Sequence, residues 1–540
     1  MERRSFLTTA TLATAGIGTF LVSSCSNKEK TGEDGLKEEG IDDFVLDEET
    51  ISSLSTKLKS GEYTSEKLVE LYLKRIEEID KKGPALNAVI EVNPDALNLA
   101  KKLDKELKEG KSRGLLHGIP VLIKDNIDTA DQMQTTAGAL ALEGNIAKDD
   151  AYIVKRLRAA GAIILGKTNL SEWANFRSTS SCSGWSSRGG QTKNPYILDH
   201  NPCGSSAGSG VAVSANLCTV SVGTETDGSV VCPSSVSGAV GIKPTIGLVS
   251  RSGIIPISST QDTAGPMART VQDAAILLGV LAGSDNNDKS TIGSKQTQEN
   301  EYVKYLDKNF LSGKRIGVEK KQQGANQFMH ALQKKSIDLI RRLGGTVVEI
   351  DYLDAINELG AAEFEVMQFE FKEGVNSYLK KSDIKVKSLK DVIDFNLKNE
   401  DKAMPYFKQE TLISSNEKGD LADAKYKEAL KNSHFKAIKI LNKVIDENKL
   451  DAICGLTMGP ACSIDMIYGD RWGDVFLTSP AAISGFPHIT VPCGTVYDLP
   501  VGFSFFGKPF TEPELIGFAY AFEQASNSRV KPSFKKAFLG

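Results

Sequence analysis

The sequence predicts an α/β fold, in the form of a single large α/β/α domain whose twisted mixed β-sheet is flanked by helices. Helical and strand patterns alternate along the chain, and the strand candidates "VLIK" and "AIILG" are almost continuously apolar. Such runs are typical of strands covered on both faces. The 540 residues are 40% hydrophobic and 25% charged, which is an ordinary composition for a globular protein.

The first elements after residue 60 follow this alternation. Thr64 and Ser65 supply a helix N-cap, and apolar residues follow at helical spacing. The segment "LNAVIEV" then predicts a strand. Residues 151–169 predict a helix, a stop at Gly161 and a short buried strand.

The composition changes in the second half of the chain. From about residue 285 to residue 450, Lys-, Glu- and Leu-rich segments predict a more variable helical region that walls the site. After residue 452, apolar strands return in "HITVPCGTV" and "VGFSFFG", and a closing helix follows around "ELIGFAYAFEQAS".

The N-terminus has the pattern of an export signal over residues 1–24. Arg3 and Arg4 precede eighteen uncharged residues, and "LVSSC" resembles a bacterial lipobox that would make Cys25 the acylated N-terminus. The opening "RRSFL" is similar to a twin-arginine signal, although the sequence does not decide between the Tat and Sec routes. The alternative is a single membrane-spanning anchor.

Residues 25–43 carry charges of both signs and almost no apolar side chain, so they predict a flexible tether after the acylated Cys25. The catalytic domain is then expected to occupy residues 44–540. We expect it to be lipid-anchored on the periplasmic or extracellular side of a membrane, and to contact that membrane only through the lipid.

Composition also limits the partners. The net charge is −4 and no basic block is present, which argues against nucleic acid. No C-x-x-C motif or His pair has zinc spacing, so no metal is expected. The seven cysteines after Cys25 cannot be paired from the sequence, and the oligomeric state stays open.

Two Gly- and Ser-rich loops are the strongest signal of chemistry. They are "CGSSAGSG" at residues 203–210 and "GTETDGS" at residues 223–229, and a predicted helix and strand separate them. A nucleophilic serine needs an exposed hydroxyl and free backbone N–H groups for the oxyanion. The turn formed by Thr226, Asp227 and Gly228 could supply such groups beside Ser229.

A serine also needs an activating base. None of the five histidines lies in a strong local motif, whereas a desolvated lysine can lose its proton near neutral pH. Lys124 ends a buried strand, where site residues are expected in α/β sheets. Lys167 and Lys243 end apolar strands as well, so local reasoning does not choose among the three.

Longer motifs show a resemblance to the amidase signature family over residues 60–285 and 450–525. "IPVLIKD" at 119–125, "CGSSAG" at 203–208 and "GTETDGS" at 223–229 correspond to three motifs of that family. The run "VGIKPTIGLVSRSGIIPISSTQDTAGPMARTVQDAA" continues the resemblance.

The resemblance implies a Ser-Ser-Lys triad. By motif, Lys124 is the base, Ser205 relays the proton from a cis peptide, and Ser229 attacks the amide. The backbone N–H groups of Thr226, Asp227, Gly228 and Ser229 would hold the oxyanion. This chemistry requires no metal and no organic cofactor.

The substrate expectation rests on departures from the family pattern. Glu225, Asp227 and Val231 replace the residues found in many members, and with "SEWANFRS" and "SGWSSRGGQTKNPY" they resemble the bacterial peptide amidase branch. The expected reaction therefore converts peptide C-terminal amides to carboxylate and ammonia. The alternative is a general small-molecule or fatty-acid amide hydrolase.

Two further interpretations compete. "GSSAG" matches the G-x-S-x-G elbow of Ser-His-Asp α/β-hydrolases, with Ser206 at its centre and His488 as the best-placed histidine. The same loop could bind an anion in a non-enzymatic lipoprotein. Near these loops, Trp173, Phe176 and Trp185 could line a pocket or belong to the core.

Overall fold

In the computed structural model, residues 44–293, 301–321 and 326–539 are described. The predicted export signal, the lipidation site at Cys25 and the tether lie outside these residues and stay predictions. Within the described ranges, none of the helices has both the length and the apolar character needed to cross a bilayer.

The secondary structure alternates as the sequence predicts. The strands are β1 Val89–Val92, β2 Pro120–Lys124, β3 Ile163–Thr168, β4 Trp185–Ser186, β5 Gly190–Gln191, β6 Val220–Glu225, β7 Val240–Lys243, β8 Thr263–Ala268, β9 Arg315–Glu319, β10 Thr346–Ile350, β11 Ala452–Leu456, β12 His488–Val496 and β13 Leu499–Phe506. The helices are α1 Ile51–Ser60, α2 Ser65–Arg75, α3 Ala96–Lys108, α4 Tyr152–Ala159, α5 Ala207–Ser214, α6 Val231–Val236, α7 Val271–Leu281, α8 Gln327–Arg342, α9 Leu353–Asn357, α10 Gly360–Lys381, α11 Leu389–Lys398, α12 Glu400–Ala403, α13 Glu410–Asn416, α14 Ala424–Leu430, α15 Lys436–Asn448, α16 Ser479–Ser484 and α17 Glu512–Ser526.

Eleven strands form one mixed sheet in the order β1-β3-β2-β6-β8-β7-β12-β13-β11-β9-β10. The central strands β3, β2 and β6 run parallel, whereas β8, β7, β12 and β13 pair antiparallel. β2, β3 and β6 are buried along their whole length. The prediction of a mixed sheet flanked by helices is confirmed.

The region between residues 285 and 450 differs in part from the expectation. Helices predominate, but β9 and β10 also lie here and form a parallel pair at the edge of the main sheet. β10 is half-exposed, with Thr346 and Glu349 facing solvent. Because one face of an edge strand meets water, its sequence lacks the continuous apolar run that marked the central strands.

Two features of this fold position the site. β2 and β6 are parallel neighbours, with Ile123 opposite Val222, so their carboxyl ends meet at one edge of the sheet. Above that edge, Phe371 and Val375 of α10 pack in one apolar cluster with Trp173 and Phe176. The helical region therefore covers the edge at which the two serine loops lie.

Candidate active site

Lys124 is the last residue of β2 and is fully buried. Its Nζ lies 2.7 Å from Ser205 Oγ and 3.0 Å from Ser206 Oγ. It also lies 2.9 Å from the Thr224 hydroxyl and 3.1 Å from the Thr224 carbonyl oxygen. Lys124 forms no ion pair with any carboxylate of the described residues.

The surroundings of Lys124 favour a neutral amine. Burial lowers the pKa of Lys124 to about 7, and the more distant negative charges of Asp262 and Glu225 only partly oppose this effect. Three of the four neighbouring oxygen atoms belong to hydroxyls, which can donate a hydrogen bond to a neutral nitrogen as well as accept one from it. At this position the nitrogen can accept a proton near neutral pH.

Ser205 lies one residue before the N-cap of α5 and is fully buried. The Gly204–Ser205 peptide bond is cis, as the family resemblance implies. The Ser205 carbonyl accepts a hydrogen bond of 3.1 Å from the backbone N–H of Ser171. A Cβ at position 204 would lie 2.2 Å from Ser171 Oγ, so Ser171 would have to shift to admit a side chain there.

Ser229 lies one residue before the N-cap of α6 and is 8% exposed. Its carbonyl accepts a 3.1 Å hydrogen bond from the Ser206 backbone N–H, which joins the two serine loops. Its hydroxyl faces a cavity that Ser205 also lines. No hydrogen bond joins the Ser229 hydroxyl to another described residue, so the hydroxyls of Ser205 and Ser229 share a cavity without a direct bond.

Glu225, which replaces the aspartate usual in the family, holds the backbone after Ser229. Its Oε2 accepts hydrogen bonds from the backbone N–H groups of Val230 at 2.8 Å and Val231 at 3.0 Å. A carboxylate at the start of a helix stabilises the first turn. Glu225 thereby fixes the direction in which the chain leaves Ser229.

The turn at residues 226–229 leaves its backbone donors available. The N–H groups of these four residues have no acceptor within the described chain. Gly228 has a φ of +76°, and a Cβ at this position would lie 2.9 Å from Cys232 Sγ. Unpaired N–H groups beside a hydroxyl in a cavity have the character of an oxyanion hole.

The cavity in front of the two serines has a volume of about 380 Å³. Its lining includes both apolar and polar side chains: Phe176, Met367, Trp472, Phe476, Ser180, Ser181, Ser183 and Asp470.

The three aromatic residues considered above separate in the structure. Phe176 and Trp173 both belong to the apolar core cluster, and of the two only Phe176 also lines the cavity. Trp185 packs beneath the Arg177 guanidinium, which lies 4.9 Å from its ring centre.

Asp227 has partners that the sequence analysis did not find. Its carboxylate accepts hydrogen bonds from the hydroxyls of Thr478 at 2.6 Å and Ser479 at 2.7 Å. These residues are 251 and 252 positions away, and no local pattern links them to the turn. They attach the turn at residues 226–229 to the start of α16.

The hydrolase-elbow alternative does not fit this geometry. The Ser206 hydroxyl contacts Lys124 and Thr224 rather than a histidine. Ser206 occupies the N-cap position of α5, but its side chain does not cap the helix. His488 is fully buried in β12, where its Nε2 lies 2.6 Å from Ser504 Oγ, and burial lowers the pKa of His488 to about 3.

The two other candidate lysines contact neither serine. Lys167 Nζ donates to the Ile127 and Gln134 carbonyls and the Thr135 hydroxyl at 2.7 to 3.0 Å. Lys243 Nζ donates to the Pro244 carbonyl at 3.0 Å. The structure therefore places one of the three lysines, Lys124, against the serine loops.

The cysteines play no covalent role in the described structure. All seven from Cys182 to Cys493 have free thiols. In the part of the chain that is described, no group of three or more His, Cys, Asp and Glu side chains is arranged to hold a metal ion.

The known proteins to which this chain is similar include several amidases. A family model described as Amidase matches residues 67–516. The chain is 45% identical to the native peptide amidase of Stenotrophomonas maltophilia, whose structure aligns with a TM-score of 0.87 over 91% of this chain and 99% of that one.

Two further relatives extend the comparison. An amidase family protein from Bacillus anthracis is 36% identical, with a TM-score of 0.82 over 92% of this chain and 96% of that chain. A probable amidase of Arabidopsis thaliana is 42% identical over 91% of this chain and 92% of its own length.

Proposed function

This chain belongs to the amidase signature family and is a hydrolase of amide C–N bonds, and we propose that it acts through a Lys124–Ser205–Ser229 triad on peptide C-terminal amides. The observation that carries the triad is the 2.7 Å contact between the buried amine of Lys124 and the Ser205 hydroxyl, beside a cavity that Ser229 also lines.

The first half of the reaction acylates the enzyme. Ser229 Oγ bonds to the amide carbon as its proton passes to Ser205 Oγ, and the Ser205 proton passes to neutral Lys124. The free N–H groups of residues 226–229 stabilise the negative charge on the substrate oxygen. When the C–N bond breaks, the proton returns through Ser205 to the leaving nitrogen, which departs as ammonia.

The second half repeats these transfers with water. A water molecule attacks the ester carbonyl of the acylated Ser229 and gives up a proton through Ser205 to Lys124. The C–O bond to Ser229 then breaks, the proton returns to Ser229 Oγ, and the carboxylate product leaves. Each turnover consumes one amide and one water and leaves Lys124 neutral again.

The cavity supports a peptide substrate. The cavity lining combines hydroxyl and carboxyl groups with aromatic and aliphatic side chains. A peptide presents backbone polar groups together with apolar side chains, which suits such a mixed lining. A long fatty chain would leave the polar lining groups without hydrogen-bond partners, and this loss would weaken its binding.

Ammonia release tests this proposal. The full chain would be given an N-acetylated dipeptide amide, the matched dipeptide N-methylamide, a simple aliphatic amide and a fatty-acid amide. We expect the highest kcat/KM for the dipeptide amide, and no ammonia from Ser229→Ala. A higher kcat/KM for the fatty-acid amide would favour the lipid alternative, and full activity of Ser229→Ala would reject the triad.

We also propose that the protein is exported and held at the membrane by a lipid on Cys25. The support is the sequence pattern of residues 1–25, with paired arginines, an uncharged segment and "LVSSC". In a bacterial host, the native chain should partition into detergent and incorporate labelled palmitate. Cys25→Ala should remain unlabelled, and labelling of that variant would contradict the assignment.

A further inference from the structure

A pair of carboxyl groups lies at the turn formed by residues 226–229. Asp227 is half-buried on the turn, where it lines the cavity, and Glu363 is in the first turn of α10, where it is 6% exposed. The two carboxyl groups lie close enough for each to act on the ionisation of the other as a hydrogen-bond partner. Two carboxylates cannot donate to one another, so this contact requires one proton shared by the pair.

The other hydrogen bonds of the two carboxyl groups indicate that the shared proton lies on Glu363. The Asp227 carboxylate already accepts from the hydroxyls of Thr478 and Ser479. Glu363 Oε1 accepts a 2.8 Å hydrogen bond from Gln261 Nε2, whose amide also lies 3.4 Å from the Thr226 carbonyl oxygen. With Glu363 protonated, its O–H completes a third hydrogen bond to Asp227.

The charged groups nearby do not neutralise this pair. Lys243 of β7 is the cation whose field reaches Asp227, and Glu225 of β6 adds negative charge. Burial first, and the neighbouring Asp227 charge second, raise the pKa of Glu363 well above its usual range.

Other titratable groups on α10 and the segments packed against it face elsewhere. Glu370 bonds to Ser258, Thr260 and Tyr426, and His434 bonds to the Ile483 carbonyl.

We propose that Glu363 is a positioning residue whose protonated carboxyl holds the oxyanion turn in place through Asp227. This inference rests on the proposed function, since it gives a role to the N–H groups of residues 226–229. Loss of the shared proton would place two negative charges side by side, one of them on the buried Glu363, and their repulsion would move the turn. The activity should therefore fall on the alkaline side as this proton leaves.

The variant Glu363→Gln tests the inference because an amide N–H can donate to Asp227 and does not ionise. We would measure kcat and KM for a dipeptide amide from neutral pH upward, over the alkaline range in which the enzyme stays folded. We expect Glu363→Gln to keep most of kcat at neutral pH and to lose the alkaline decline. Glu363→Leu, which cannot donate, should lose about 100-fold in kcat with a smaller change in KM, as when oxyanion donors are displaced.

Glu365→Gln is the matched control, since Glu365 lies on the same helix and pairs with Lys418 at the surface. It should keep the profile of the parent enzyme, and thermal unfolding of all three variants would show that they fold.

An unchanged alkaline decline in Glu363→Gln would overturn the inference, and so would equal losses in the Gln and Leu variants. Neither result concerns Lys124. Failure of the triad itself would instead appear as full activity in Lys124→Met or Ser229→Ala.

Discussion

Lys124 and Lys167 end neighbouring parallel strands and are both fully buried, yet their surroundings differ in one respect. Lys124 Nζ contacts hydroxyls and one carbonyl. Lys167 contacts carbonyls and a hydroxyl as well, but the negative charges of Asp125 and Asp128 act on it most strongly among four nearby carboxylates.

The difference separates the proposed base from a structural cation. Burial lowers the pKa of both lysines, and nearby carboxylates work against this effect at each, two at Lys124 and four at Lys167. Lys167 in return favours the charged form of Asp125. A buried lysine on which few carboxylates act can lose its proton near neutral pH, whereas a lysine with more carboxylates around it serves mainly to neutralise them.

Removing the amine at each position tests whether Lys124 and Lys167 have different roles. We expect Lys124→Met to lower kcat/KM by at least about a thousandfold, since the proton relay then has no base. The measurement is ammonia release from a dipeptide amide, with circular dichroism to confirm folding. A loss below about tenfold would show that another group accepts the proton.

Stability should show the opposite order. Lys167→Met removes a positive charge that acts on both Asp125 and Asp128 and leaves Asp125 with Arg188 alone, so we expect it to lower the free energy of unfolding by about 3–5 kcal/mol. Lys124→Met removes hydrogen bonds to neutral oxygens and should cost about 1–3 kcal/mol. Urea titrations of the two variants measure both values, and equal losses would remove the distinction between the two sites.

These two lysines also show how much of the site could be predicted from the sequence. Apolar strands and helix caps predicted the mixed α/β sheet, and Gly/Ser density located the loops of Ser205 and Ser229. Local pattern could not choose Lys124 over Lys167, because the choice depends on which loop crosses each strand end. Only the family resemblance indicated Lys124.

The long-range contacts of Asp227 could not be predicted from the sequence. Glu363, Thr478 and Ser479 reach Asp227 from distant helices, and each is an ordinary residue in its own segment. The edge strand β10 was missed for a related reason, since its exposed face carries polar residues and its pairing partner is set by the tertiary fold.

The hydroxyl of Ser206 is one of the groups that position the Lys124 amine. This hydroxyl contacts Lys124 and bonds to both the N–H and the carbonyl of Thr224, so it holds the amine in place without lining the cavity. We expect Ser206→Ala to lower kcat about tenfold with little change in KM, because misplacing a catalytic group slows the chemical step. A loss as large as that of Ser229→Ala would make Ser206 the better candidate for nucleophile.

The smallest effect is expected at His488. Its ring bonds to Ser504 inside the sheet and lies away from the serine loops, so His488→Gln should change kcat/KM by less than about threefold, as for residues outside the reacting groups. Steady-state kinetics on the folded variant would measure this. Near-complete inactivation would revive the Ser-His-Asp interpretation.

On this proposal, Lys124 is neutral when Ser229 attacks. The test is the pH dependence of Ser229 phosphonylation by a fluorophosphonate, in which Ser229 Oγ displaces fluoride from phosphorus, followed by stopped-flow in the native enzyme and in Lys124→Arg. Because burial lowers the pKa of Lys124 to about 7, protonation should stop the reaction on the acid side. The native rate should rise with pH through about 7, and the arginine variant, which keeps its charge, should stay slow throughout. A native rate that first rises near the ordinary lysine pKa, or an arginine variant that matches it, would contradict the account.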